Sequence, residues 1–292
     1  MLHPSMRSAP AHSTTALFLA LALGLASGCA GPSTTERAQS LARQGRDDEA
    51  AALLEKRVQE HPEDVPARRL LVRLLGFTGN VPRARAQAEE LARILGAGDP
   101  TPYIELGHAL ELAHRYDEAL AAYDEAAEAA PASPAGPREG GMRCARWGEA
   151  EEARPRLEEA IRRGANDVET WHTLGLVRLH LGDFAGAEEA YGAGTQADPK
   201  AAECWLGLAT AAIAQGDAEK ALAAYDQVLA RRPHFASAEL GRAWALAKLG
   251  RKDEAARALD HAQELGAPAE NIAKQREMLR EKQEDGKTGR DP

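Results

Sequence analysis

Aromatic side chains are scarce in this chain, with 4 Phe, 5 Tyr and 4 Trp among 292 residues. Ala and Leu must therefore fill most of the interior. Small side chains suit helices packed closely together and fill a β-sandwich poorly. Cysteine is just as sparse, and 3 Cys cannot build a disulfide framework. Cations are mostly Arg, a bias read here as genomic rather than mechanistic. The formal net charge of -9 argues against non-specific binding to nucleic acid. No apolar run reaches the roughly twenty residues a membrane-spanning helix needs.

Motifs that carry chemistry are missing too. There is no HExxH, no Cys-x-x-Cys, no G-x-S-x-G, no P-loop and no dinucleotide fingerprint. His172 and His180 share a predicted helix, but their spacing puts them about 12 Å apart, too far for one metal. Carboxylates crowd at Asp47, Asp48 and Glu49 and at Glu151 and Glu152. These are predicted helix starts, where the helix dipole alone favours negative charge. No segment is left over for a catalytic domain, so we expect a non-enzymatic protein with no cofactor.

What the chain does have begins with an address. Ala16 to Ala26 reads ALFLALALGLA, a short apolar run behind Arg7, followed by Ser27 and Gly28. A positive residue, a short apolar core and small residues are the layout of a secretory signal peptide. Cys29 follows at once. The stretch Leu25-Ala26-Ser27-Gly28-Cys29 resembles a bacterial lipobox, with Leu25 one place earlier than the usual leucine. The resemblance implies residues 1–28 as signal peptide, lipidation at Cys29 and a short linker over 29–35. Ala30, not Asp, follows the cysteine, which implies transfer to the outer membrane, facing the periplasm. An ordinary signal peptide, giving a soluble periplasmic or secreted protein, is the alternative.

Beyond the address the chain repeats. Ala stands at 50, 84, 119, 153, 187, 221 and 255, at intervals of 34 or 35 residues. Gly precedes each Ala by five residues, except in the third copy, which has His114. Pro62, Pro131, Pro199 and Pro233 follow in the same register. A fixed period of this length marks a solenoid. Each unit reads as two helices. Trp171, Leu174, Gly175 and Arg178 fall on one face of a first helix; Gly182-Asp183 breaks the chain; Ala187, Tyr191 and Gly194 line a second. Asp198-Pro199 ends it.

The run Trp171-Leu174-Gly175…Ala187-Tyr191…Pro199 resembles the tetratricopeptide repeat. The resemblance implies an all-α, right-handed superhelical solenoid of about seven helix-turn-helix repeats over 36–269. Ser33 and Glu36 form a capping-box pattern at its start. A polar helix over 270–285, bearing Ile272, Met278 and Leu279, is expected to cap it. Residues 286–292 are expected as a disordered tail. Repeat four departs most: Pro137, Gly140 and Gly141 fall in its first helix and Pro155 early in its second, so that either the helix starts late, the preferred reading, or the solenoid bends there as a flexible joint. Cys144 and Cys204 fall in non-neighbouring repeats and are expected as separate, buried thiols.

In this family the first helices line a concave groove that takes protein or peptide segments. Carried onto this chain, the groove positions are Arg69, Arg73, His108, Arg138, Met142, His172, Leu176, Leu206, Ile213, Leu240 and Trp244. The groove would run from basic to apolar. Repeat two holds 6 Arg against 2 Glu, which points to an acidic partner there. Trp244 has two readings, a binding hot spot or a buried ring packed on Ile272 or Leu279. The expected function is a scaffold anchored by lipid, holding a protein partner at the periplasmic membrane face. The alternative is a pilotin-like assembly factor or a regulator of envelope or cell-wall machinery.

Overall fold

A computed structural model of the chain describes residues 32–288. Every regular element among them is an α-helix. The chain divides into two compact units, residues 1–131 and 132–292. The first unit holds three hairpins: α1 (Thr34–Arg43) with α2 (Asp47–Glu60), α3 (Val65–Phe77) with α4 (Val81–Leu95), and α5 (Thr101–Leu112) with α6 (Tyr116–Ala129). The second holds four: α7 (Ala135–Trp147) with α8 (Ala150–Arg162), α9 (Val168–His180) with α10 (Phe184–Ala197), α11 (Ala202–Gln215) with α12 (Ala218–Arg231), and α13 (Ala236–Lys248) with α14 (Lys252–Glu264). The last helix, α15 (Ala269–Thr288), lies against α14 and α13.

The expected seven helix pairs are present, and α15 runs to Thr288 where the cap was expected to end at 285. The signal peptide, Cys29 and the last residues of the expected tail lie outside the described residues. Helix α1 starts where the capping box requires. The Glu36 N–H donates to Ser33 Oγ at 3.2 Å, and the Ser33 N–H donates to Glu36 Oε2 at 2.6 Å.

The hairpin turns explain the glycine register. Gly182 and Gly216 sit at φ 76° and 78°, a left-handed conformation that a Cβ disfavours. His114 holds the same turn at φ 59° with a side chain. Within the pairs, glycine serves close approach. Tyr191 is fully buried in a slot whose walls are Gly175 and Gly207. A Cβ on either would come within 2.6 and 2.3 Å of its ring.

Repeat four differs from expectation. Its first helix does not start late: α7 spans 13 residues, as α9 does. Pro137 falls in the first turn, where its missing N–H has no helical partner to lose. Gly141 lets α8 in, since a Cβ there would meet the Leu157 side chain at 2.8 Å. Pro155 does lie inside α8, on an exposed face.

Helix order sets which face is inner. Within each unit successive first helices approach one another: α1, α3 and α5 in the first; α7, α9, α11 and α13, then α15, in the second. Successive second helices have no comparable contacts. First helices therefore line the inner face of each stack.

Candidate partner-binding face

In the first unit the basic residues are already engaged. Arg69 Nε donates to Glu105 Oε1 at 2.6 Å, Arg69 Nη2 donates to the same oxygen, and Arg73 Nη2 donates to it at 3.0 Å. Glu105 is 5% exposed. Its other oxygen, Oε2, is buried and accepts no hydrogen bond among the described residues. Helix α5 comes close enough to α3 to bring this carboxylate in because Gly76 leaves room. A Cβ on Gly76 would stand 2.7 Å from that of Ala109. The counter-ion of the expected basic site is thus supplied by the next repeat. His108, also on α5, packs its ring edge-on against Tyr123, with centroids 5.7 Å apart.

The second unit begins with another engaged cation. Arg138 on α7 donates to both oxygens of Asp167, to Glu169 and to Thr170. This joins α7 to the first turn of α9. Burial opposes ionisation of Asp167, but hydrogen bonds from Arg138 and from Thr170 outweigh it and take its pKa down to about 2. Arg138 is held above its ordinary value by its hydrogen bonds to Asp167 and then Glu169, which outweigh its burial. Arg138 therefore serves as a clamp between repeats four and five.

From there the inner face turns apolar. Met142 on α7 is half-buried, and Leu176 on α9 is 50% exposed. His172, one turn before Leu176, lies against the Tyr191 ring with centroids 5.8 Å apart. Its burial lowers its pKa, which keeps the imidazole neutral at neutral pH. Leu206, Ile213, Leu240 and Trp244 are drawn into one cluster on α11 and α13. Ile272 and Leu279 of α15 belong to the same cluster.

Trp244 satisfies both of its readings at once. Part of its ring packs on that core, and part lines an open cleft of about 490 Å³. The cleft is walled by Ile213, Leu240 and Gly241 on one side and by Asn271, Lys274, Gln275 and Met278 of α15 on the other. Gln275 Nε2 donates to the Leu240 carbonyl at 3.2 Å, fixing α15 at the cleft wall. Lys248 lies over the Trp244 ring, 5.4 Å from its centroid.

The motif positions alone miss Glu105 and the α15 wall. Glu105 falls near one repeat length beyond Arg69 and Arg73, a spacing that was available as a signal. Nothing in the sequence pattern places Lys274 or Gln275 beside Trp244. Cys144 and Cys204 are both buried. Burial pushes Cys204 up to about 11, so it is not a nucleophile at neutral pH.

Five family models described as tetratricopeptide repeat match residues 34–74, 65–90, 101–133, 178–223 and 206–270. The matches leave 134–177 uncovered, the segment that includes the irregular repeat four. No curated protein matches the chain. Among solved structures, YrrB, described as a protein of this repeat type with an unusual peptide-binding site, has 20% identity and a TM-score of 0.56. The match covers 62% of this chain and 93% of that one. The MamA protein has 21% identity and a TM-score of 0.54, over 57% of this chain and 91% of that one. The C-terminal part of a repeat protein from Cytophaga hutchinsonii has 15% identity and a TM-score of 0.58, over 82% and 98%. At these identities the likeness is one of fold.

Proposed function

Because the chain belongs to the tetratricopeptide-repeat family, we propose that it is a non-enzymatic scaffold that binds a protein segment along the inner face of its second unit. One observation carries this reading. Leu176 leaves half of an aliphatic side chain in solvent on α9, between the first helices that carry Met142 (α7) and Leu206 and Ile213 (α11). Apolar surface left open along such a face is what a bound segment would cover. The peptide-binding site for which YrrB is described supports the same use of the fold. The first unit is the weaker candidate, since Arg69 and Arg73 are occupied by Glu105.

We further propose that the scaffold is tethered by lipid at Cys29 and works at the periplasmic face of the outer membrane. The support is the short apolar run ending in small residues directly before that cysteine. Two or more acyl chains there would suffice for stable anchoring. A pilotin-like role, or regulation of envelope or cell-wall machinery, is the narrower form of the proposal.

A photo-crosslinking residue placed at Leu176 in living cells tests the binding face, with one at Glu189 as control. Glu189 is 81% exposed on α10. Crosslinks to a discrete partner from Leu176 and none from Glu189 are expected. Equal labelling from both, or none from Leu176, would remove the inner face as the binding surface.

A further inference from the structure

The cleft beside Trp244 has a chemistry narrower than the strip that leads to it. Its floor and walls are apolar, through Ile213, Leu240, Trp244 and Met278. Met278 is 39% exposed although it faces this cleft. The charged residues that line it are Lys274, and Lys248 at the edge where Trp244, Gln275 and Met278 continue. No carboxylate lines it. Lys248 lies over the Trp244 ring, and neither lysine has an ion-pair partner among the described residues. They stand on different helices, Lys248 on α13 and Lys274 on α15. By contrast, Arg69 and Arg73 in the first unit are paired with Glu105, and Arg138 in the second with Asp167 and Glu169.

From this juxtaposition we infer that the cleft docks an acidic segment of another protein, with a bulky apolar residue inserted beside Trp244 and Asp or Glu residues on both sides of it reaching Lys248 and Lys274. The inference rests on the inner-face reading above and names the partner chemistry of its far end. Apolar burial against an aromatic anchor supplies affinity, and the two lysines supply the choice of sign. Both lysines are solvent-accessible, so the preference for acidic segments weakens with salt.

The test uses the full chain and three fluorescein-labelled peptides followed by anisotropy at low and high salt. The first has a central leucine–phenylalanine pair flanked on each side by two glutamates. The second replaces the glutamates with lysines, and the third replaces the apolar pair with serines. The acidic apolar peptide is expected to bind at least about tenfold tighter than either of the others at low salt, with the margin over the lysine peptide shrinking at high salt. Lys248→Glu combined with Lys274→Glu is expected to reverse the preference between the first two. Lys200→Glu with Arg257→Glu, the same charge change at exposed sites away from the cleft, is expected to leave it intact. Equal binding of acidic and basic peptides, or a preference untouched by the cleft reversal, would overturn the inference. Crosslinking from Leu176 together with that result leaves the inner-face reading standing and removes only this one. Absence of crosslinking from Leu176 removes the wider reading, whatever the peptides do.

Discussion

His114 performs with a side chain what glycine performs in the other six hairpin turns, and its backbone stands in the left-handed region at φ 59°. A non-glycine residue there costs about 1–2 kcal/mol, partly offset by the greater freedom glycine has in the unfolded chain. The His114 ring recovers some of this through Nδ1, 3.0 Å from the Tyr116 hydroxyl. His114→Gly is therefore expected to stabilise the protein by up to about 1 kcal/mol, read as a higher urea midpoint. A lower midpoint would mean that the Tyr116 contact outweighs the backbone strain. The same scale shows where charge counting by repeat misleads. Repeat two has an excess of Arg, but Glu105 belongs to repeat three and folds back onto it. Blocks of sequence are not blocks of surface when each unit touches its neighbour.

Among the elements, α9 is held at its first turn more firmly than its repeat pattern implies. Asp167 caps it through the Thr170 N–H at 3.0 Å and also receives Arg138 from α7. Its folded pKa of about 2 lies below the ordinary 3.8. The stabilisation is thus present above 3.8 and is lost as pH falls toward 2. Asp167 is 45% exposed, so solvent screening limits the contribution to about 1 kcal/mol. Asp167→Asn keeps the cap and removes the charge. It is expected to lower stability by about that amount at neutral pH, with the difference from the parent closing in acid. Urea melts at both conditions check this; a difference independent of pH would show that the charge on Asp167 is not what stabilises the first turn of α9. Repeat four belongs to this scale too. Its glycines and prolines argue against a helix one residue at a time. The packing of Gly141 on Leu157 and the harmless place of Pro137 in a first turn decide otherwise.

For the molecule as a whole, the proposed address and binding face make a joint prediction. Cys29→Ala is expected to move the protein from the membrane fraction to the soluble periplasm, or to stall its maturation, while leaving crosslinking from Leu176 possible in vitro. Mass spectrometry of the mature N-terminus checks it: an unmodified Cys29 with membrane association unchanged would sink the lipid anchor. Few residues separate Cys29 from Thr34, where α1 begins. A lipid at Cys29 would therefore hold the first unit close to the bilayer.

The repeat was legible in the sequence because every copy solves the same local problem. A left-handed turn calls for Gly, a close crossing calls for Ala or Gly, and a buried ring calls for the small residues facing it. Those demands recur every 34 or 35 residues, so helix pairs and the capping box at Ser33 could be read without coordinates. The inner-face positions of Leu206, Ile213, Leu240 and Trp244 were legible by the same register. What the register could not carry was contact between residues outside it. Glu105 reaches Arg69 and Arg73 only because α3 and α5 close on each other at Gly76. Trp244 is half core and half cleft only because α15, which is not a repeat, lies across α13. Periodicity specifies which face a side chain takes on its own helix. Packing decides what stands opposite it, and here that sets which cations are used up and which remain to meet a partner.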